Sequence, residues 1–136
     1  MTFAVSHALQ AGIFGALSND AALSGLVGAN IYDAPPSGAA PETYIVIGDE
    51  IARDRSTKTY NGAAHDFVVN VVSDTAGFAT AKQVAAAVCD ALIDVTMPLS
   101  RGRLVGLRFR SARAVRDDSP GQRQIDLRFR AFVADV

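Results

Sequence analysis

Apolar residues recur at helical spacing near the amino end of the chain. Over residues 3–17, an apolar side chain stands at every fourth position, which predicts one buried face of a helix. The sequence Ser18-Asn19-Asp20 ends that helix and offers a side-chain cap for a second, short helix, for which Gly28 is a typical end. The predicted buried residues of the second helix are Leu23, Leu26 and Val27. We expect the two helices to form a hairpin that lies on a sheet.

A third and longer apolar stripe lies in the middle of the chain. Within residues 77–95, the apolar positions again follow the period of a helix. Asp74 or Thr75 offers a side-chain cap at its start. The pair Met97-Pro98 ends it, because a residue before proline avoids helical geometry. The predicted buried residues are Ala81, Val84, Ala85, Val88, Leu92 and Val95.

Shorter apolar runs predict the first strands. Ile31–Asp33 is a candidate short strand, and Tyr44–Ile47 is a β-branched run that ends at Gly48. Within residues 64–73, Phe67, Val69 and Val71 alternate with a second set that includes Asp66 and Asn70, which predicts a strand with one wetter face. Before that strand, Ile51–Gly62 is a long polar stretch with almost nothing to bury. Polar loops of this kind are usually functional or mobile.

The last third of the chain has the clearest strand pattern. Apolar residues alternate with Gly106 and two arginines over residues 105–110, and with Asp126 and two arginines over residues 125–130. Each alternating segment predicts a strand with one buried face, and Asp117–Gly121 is a typical turn between them. We therefore expect a long hairpin whose core side includes Phe109 and Phe129.

The arginines of this hairpin are predicted to oppose one another. With the turn centred near residue 119, Arg108 lies opposite Arg130 and Arg110 lies opposite Arg128. Directly opposed like charges cost up to about 1 kcal/mol per pair, so we expect something to neutralise them. The candidates are Asp66 or Asp126 in the same sheet, an acidic surface on a neighbouring copy, or nucleic acid phosphate. A solvated arginine face with local acids is the alternative.

These elements predict an α+β fold. It consists of an antiparallel sheet of about four main strands, with an N-terminal helical hairpin and one long helix packed on it. The length of 136 residues and the 49% hydrophobic content fit one domain spanning residues 1–136. No apolar run reaches the ~18 residues of a membrane-spanning helix. Residues 1–17 lack the Lys or Arg of a signal peptide, so we expect them to belong to the fold.

A net charge of -1 hides a strong polarity along the chain. Residues 1–100 hold four basic and ten acidic side chains, whereas residues 101–136 hold nine arginines and four aspartates. The near-neutral total argues against a general nucleic-acid binder. The polarity suits a protein that meets copies of itself or a charged partner, with compensation across one surface as the alternative.

Residues that carry catalytic chemistry are scarce. The chain has neither a glycine-rich phosphate loop nor a Gly-x-Ser-x-Gly motif. His7 and His65 lack partners at metal-ligand spacing. Asp49 and Glu50 are neighbours on a predicted strand, so they point to opposite faces and indicate a solvated strand end. The lone Cys89 is expected to act as a small hydrophobe. We therefore expect no enzymatic activity, no metal and no cofactor.

Several segments, taken in order, resemble a family of small phage tail-completion proteins. The resembling segments are Ala8-Leu9-Gln10, Ala16-Leu17 with Asp20, Leu26-Val27-Gly28 with Ile31-Tyr32-Asp33, Pro41 with Tyr44–Gly48, Arg53-Asp54 with Ser56–Thr59, and Leu127–Arg130. Members of that family are tail terminators, also called tail-to-head joining proteins, of long-tailed phages and gene transfer agents. The alanine-rich character of the chain is similar to the gene transfer agent branch.

The resemblance implies an α+β subunit without catalytic residues. It implies a hexameric ring that caps the tail tube, stops its polymerisation and presents a surface to the head connector. The implied partners are further copies of the chain, the tail tube protein and a head–tail connector or stopper protein. DNA is implied to pass through the lumen without specific binding, and no membrane is involved. The implied location is a phage-like particle assembled in the bacterial cytoplasm.

A polar loop and an arginine face are the expected contact surfaces. The residues expected at a subunit or tail-tube interface are Arg53, Asp54, Arg55, Ser56, Thr57, Lys58, Thr59, Arg108, Arg110, Arg128 and Arg130. Two other functions remain open: a head–tail stopper or adaptor, and a nucleic-acid-binding module. The second is disfavoured because base stacking needs exposed aromatic residues, and Phe109 and Phe129 are predicted to face the core.

Overall fold

The elements of the chain follow the predicted order, with one additional parallel pairing. The computed structural model describes residues 2–36, 38, 40–74, 77–116 and 122–135. Within these residues the elements are α1 (Ser6–Ser18), α2 (Ala21–Val27), β1 (Ile31–Tyr32), β2 (Thr43–Asp54), β3 (Gly62–Ser73), α3 (Ala79–Leu92), β4 (Arg103–Arg116) and β5 (Arg123–Ala134). The described strands form one sheet in the order β1-β2-β3-β5-β4, in which only β1 runs parallel to its neighbour. The α+β prediction is confirmed.

The helical hairpin has the predicted stop and start signals. The Asp20 carboxylate accepts a hydrogen bond from the backbone N–H of Leu23 at 3.0 Å and so caps α2. Gly28 ends the helix with a φ of 59°, a conformation that favours glycine. Leu23 and Val27 are buried, but the prediction for Leu26 is wrong, because this short helix turns that side chain to solvent.

The long helix α3 is shorter at both ends than predicted. It begins after Phe78, which forms no side-chain cap, and it ends at Leu92. Asp94 adopts a φ of 57°, which leaves the helical region and exposes Val95. The alternative cap Thr75 and the predicted turn at 117–121 lie outside the described residues. None of the described helices is long and apolar enough to cross a membrane.

A bulge makes β2 longer than predicted and turns over its second half. Ile47 pairs with Val69, but the next pair is Glu50 with Phe67, so two residues of β2 oppose one residue of β3. The extra residue switches which side chains face the core. Gly48 lies in this bulge, where the sequence interpretation had ended the strand. Glu50 consequently points toward the helices.

The core lies between the three described helices and one face of the sheet. Alternating residues of β3 and β5 supply the sheet side, and the rings of Phe67 and Phe129 stack with their centroids 5.4 Å apart. The edge strand β4 takes little part. Phe109 faces the core side of the sheet as predicted, opposite Phe129, but the expected burial is wrong: the described helices do not cover this strand, and Phe109 and Val105 are 48% and 50% exposed.

Candidate interaction surface

Arginines gather on the side of the sheet that the described helices leave uncovered, which we call the outer sheet face. Side chains alternate between the two faces of a strand. Since Leu127 and Phe129 are buried in the core, Arg128 and Arg130 lie on the outer sheet face. The residues that pair with these positions on the neighbouring strands identify the other side chains of this face. The outer sheet face consists of Ile51, Arg53, Asp66, Val68, Asn70, Arg108, Ser111, Arg113, Asp126, Arg128, Arg130 and Phe132.

Asp66 binds two of these arginines. Arg130 donates from Nε to Oδ1 at 2.6 Å and from Nη2 to Oδ2 at 3.1 Å, a bidentate geometry. Arg53 donates from Nη1 to Oδ2 at 2.7 Å. The hydrogen bonds from Arg130 lower the pKa of Asp66, more than its burial raises it. Of the candidates for neutralising the arginine face, Asp66 in the same sheet is the one that the structure shows bound to Arg130.

Replacing Asp66 with asparagine is expected to weaken the fold at neutral pH and to change its response to acid. The lowered pKa means that Asp66 contributes stability above its unfolded pKa of about 3.9, and that this contribution is lost as pH falls through the folded value. We expect Asp66→Asn to lose roughly 1–2 kcal/mol at pH 7. Urea unfolding between pH 2 and pH 7 measures this.

The variant should also show a shallower loss of stability below about pH 4 than the wild type. Asp33→Asn is a matched control, since Asp33 is an exposed carboxylate away from the outer sheet face. Identical acid profiles for wild type and Asp66→Asn would contradict the assigned role.

The register of β4 differs from the prediction at one arginine. Arg110 lies in a bulge between Phe109 and Ser111, and it is Ser111 that stands opposite Arg128. The predicted pairing of Arg110 with Arg128 is therefore wrong, because the bulge adds a residue to β4. Because of this bulge, Arg110 and Arg128 do not stand directly opposite each other, and no acidic residue is needed between them.

Arg108 lies opposite Arg130, as predicted, and an aromatic ring lies beside it. The Arg108 guanidinium stands 5.4 Å from the centroid of the Phe132 ring, a cation–π geometry. Phe132 follows Arg128 and Arg130 at strand spacing, so it shares their face. The argument against nucleic-acid binding considered only Phe109 and Phe129, and it missed that Phe132 shares the face of these arginines.

Asp126, the second acid considered for neutralisation, bonds to amides. Its Oδ1 accepts from Asn70 Nδ2 at 2.6 Å and from Gln124 Nε2 at 2.7 Å. Arg113 lies opposite Asp126 in the ladder between β4 and β5. This arrangement fixes the carboxylate in the sheet and leaves the neutralisation of arginine to Asp66.

Two adjoining grooves cross the outer sheet face and share Arg128. The larger has a volume of about 420 Å³ and includes Arg110, and the smaller has about 310 Å³ and includes Asp126. Asp49 and Val68 line both grooves. Arg128 is exposed and forms no ion pair or side-chain hydrogen bond with any residue that the structure describes.

The predicted polar loop is a short hairpin tip, which comprises residues 55–61 between β2 and β3. Hydrogen bonds close it: the Arg55 N–H donates to the Gly62 carbonyl at 2.9 Å, and the Thr57 N–H donates to the Tyr60 carbonyl at 2.7 Å. The long-loop prediction is wrong because β2 continues well past Ile47. The tip is an ordered extension of the sheet.

Some of the interface residues predicted in this region lie in β2, and the others lie in the hairpin tip. Arg53 belongs to β2 and reaches the outer sheet face through Asp66. Asp54 ends β2, and the Ser56 hydroxyl and N–H beside it lower the pKa of Asp54 to about 2. The remaining predicted residues, Arg55, Ser56, Thr57, Lys58 and Thr59, lie in the hairpin tip. The structure therefore groups the predicted residues into two neighbouring surfaces.

A cluster of polar residues at the core side of β2 was missed from the sequence. Glu50 Oε1 accepts a hydrogen bond from the Ser6 hydroxyl at 2.8 Å and lies 2.7 Å from Nδ1 of His65. His65 is fully buried. The prediction of a solvated strand end at Glu50 is wrong, since the bulge turns this carboxylate inward. Gly48 within an apolar strand was the available signal.

This cluster connects α1 to the sheet and lacks the geometry of a catalytic site. The Ser6 hydroxyl donates to Glu50 and not to His65, so no nucleophile–base contact is formed. Burial, followed by the charge of Asp90, raises the pKa of the Cys89 thiol, which disfavours the reactive thiolate. No group of three or more His, Cys, Asp or Glu among the described residues is placed to hold a metal ion.

Comparisons with known proteins give two matches. The family model described as "Tail completion protein gp17" matches residues 11–134. Among solved structures, the chain is similar to a chain in "Virion of native gene transfer agent (GTA) particle", with 52% identity and a TM-score of 0.91. That match covers 98% of this chain and 99% of the other. Comparison with curated proteins gave no match.

Proposed function

Because the chain belongs to the tail completion protein gp17 family, we propose that it acts as a structural tail terminator. In this role, copies of the chain form a hexameric ring that caps the tail tube, stops its polymerisation and meets the head connector. The similarity to a chain of a gene transfer agent virion, over nearly the full length of both chains, supports a place in such a particle. The family description favours the tail side of the neck over a head-side stopper or adaptor.

The proposed work of the protein is contact and not catalysis. The hydroxyl and imidazole of the Ser6–Glu50–His65 cluster both lie against one carboxylate, which serves the fold. Assembly into a ring instead requires surfaces that the isolated subunit leaves unsatisfied. The partners are other copies of the chain, the tail tube protein and a head–tail connector protein, with DNA passing through the lumen without specific binding.

The outer sheet face is the observation that carries this proposal. The described helices all pack on the opposite side, so this face of the sheet is free to meet another protein. Arg128 has no acidic partner within the described chain, and it lines both grooves. Arginine suits fixed, bidentate contacts with carboxylates. The hairpin tip extends this surface, and together they form the proposed subunit or tail-tube interface.

Reversing the charge at Arg128 tests the proposal. Because the Arg128 side chain forms no ion pair or hydrogen bond with the described residues, we expect Arg128→Glu to fold normally but to lose ring assembly and tube capping. Size-exclusion chromatography with light scattering and negative-stain microscopy measure the rings. Lys82→Glu on α3 is the matched control, since it makes the same charge change away from the outer sheet face.

Salt provides an independent readout. Wild-type assembly is expected to weaken as ionic strength rises, because exposed charges are screened beyond about 8 Å at physiological salt. Rings of Arg128→Glu that equal the wild type, together with salt-independent assembly, would contradict the proposed contact surface.

A further inference from the structure

The two ends of the sheet both present strand edges without a strand partner. At one end, β4 pairs only with β5, so the other side of its backbone meets no described strand. At the other end, β1 pairs with Ile45 and Val46 only, so the β2 segment 47–54 has no strand on that side among the described residues. Proteins usually block such edges, because they pair readily with another chain.

The carboxyl half of β4 is protected by the charges of Arg113 and Arg116 but by no bulge or proline. Bulges interrupt the strand before Gly106 and before Ser111, but Ser111–Arg116 pairs regularly with β5 and contains neither proline nor glycine. Ala112 and Ala114 lie on its core side and are nevertheless exposed, so the cover provided by the helices does not extend over this part of β4. A regularly paired edge of six residues therefore remains open to another strand, as far as the described residues show.

Both edges also expose apolar side chains. Val105 and Phe109 on β4 are about half exposed, and Ile51 on the free part of β2 is 58% exposed. Phe109 stands on the core side of the sheet and Ile51 stands on the outer sheet face, so each edge leaves an apolar side chain exposed.

The two edges of the sheet differ in the sign of their charged side chains. The strand β4 contains five arginines and no acidic residue. The free β2 segment 47–54 contains three acidic residues and Arg53, and residues 1–46 contain three more acidic residues and no Lys or Arg. Of these acids, Asp33, Glu42, Asp49 and Asp54 are exposed, and Arg53 is bound to Asp66. The edge formed by β1 and β2 is acidic, whereas the β4 edge is basic.

We propose that the sheet continues from one copy of the chain to the next, with β4 of one copy lying along the free edge of β2 in its neighbour. This inference rests on the ring assembly proposed above. The contact joins two different edges, as a closed ring requires. Backbone hydrogen bonds hold the strands together, and the opposite charges select this pairing over β4 with β4.

Charge reversal at the end of β4 separates assembly from folding. Arg116 lies opposite Arg123 in the sheet, so Arg116→Glu replaces a like-charge pair with an opposite-charge pair and preserves the fold. We expect the protein concentration needed for ring formation to rise about tenfold or more, because the substitution places like charges across the contact. The matched control Lys82→Glu, on the exposed surface of α3, should assemble as the wild type.

The opposite edge gives the complementary variant. Asp49→Arg is expected to impair assembly to a similar extent, and mixing it with Arg116→Glu should restore association, since each variant supplies the intact edge that the other lacks. Rings of Arg116→Glu at the wild-type concentration, or a mixture that stays as monomeric as its components, would overturn the edge pairing.

Hydrogen exchange distinguishes failure of this inference from failure of the ring itself. In assembled wild-type protein, amides of β4 and of β2 residues 47–54 should exchange at least tenfold more slowly than in the subunit, while α3 amides should not change. Rings without added protection in β4 would refute the edge pairing and leave the tail-terminator role in place. Absence of rings, both in isolation and on tail tubes, would refute the role itself.

Discussion

Phe129→Ala is expected to lower the free energy of unfolding by about 3–5 kcal/mol, the usual cost of removing a large buried aromatic side chain. Phe129 is 1% exposed, and its ring stacks on Phe67 and meets Phe109 edge-on with centroids 6.0 Å apart. Strands on both sides hold the surrounding backbone, so the cavity left by the ring cannot close. Urea or guanidinium unfolding monitored by circular dichroism measures the loss.

Phe109→Ala is the matched control for this experiment. The same ring is removed from the neighbouring strand, but Phe109 is nearly half exposed, so we expect a loss of roughly 1 kcal/mol. Equal losses from the two variants would show that the core does not end at β5 and would contradict the description of β4 as an uncovered edge.

Glu50→Ala is expected to lower the free energy of unfolding by roughly 1–3 kcal/mol, because it removes the acceptor of two buried donors. The Ser6 hydroxyl and the fully buried His65 both lose their partner, and α1 loses a connection to β2. Chemical unfolding measures the total loss of stability, and hydrogen exchange shows whether α1 is the part that is destabilised. We expect the first turn of α1 to exchange faster in the variant.

Glu50→Gln separates the hydrogen bonds from the rest of the side chain. Glutamine keeps one carbonyl oxygen that accepts hydrogen bonds, so we expect this variant to retain more stability than alanine. If neither the alanine nor the glutamine variant lowered the free energy of unfolding, the Glu50 carboxylate would have no structural role.

The helices and the central strands could be predicted from local pattern alone. The four-residue spacing in α1 and the alternation in β5 each report which side of an element is buried, without reference to any partner. The helix boundary at Asp20 and Gly28 is likewise a local matter of capping and of glycine conformation. The predicted α+β class followed from these elements, and the structure confirms it.

The bulges could not be predicted, because they depend on register with a neighbouring strand. One additional residue in β2 reverses the faces of everything after Gly48, which turns Glu50 from solvent to His65. A second additional residue in β4 separates Arg110 from Arg128. Simple alternation assigns both positions to the wrong surroundings, and nothing in the local pattern corrects the error.

Whether the helices bury the core side of β4 could not be predicted from the sequence pattern either. The alternation at Val105 and Phe109 indicates a strand with one buried face, but burial requires a second layer above that face. The helices cover β3 and β5, so β4 remains an exposed edge. The same pattern is consistent with a face that another copy of the chain buries, which is the arrangement proposed for the ring.

Electron microscopy of tail tubes assembled with and without the wild-type protein tests the central claim most directly. We predict that added protein appears as a six-fold ring at one end of each tube and that capped tubes stop growing. Tubes that continue to lengthen in saturating protein, with the protein remaining in solution as single subunits, would contradict the account.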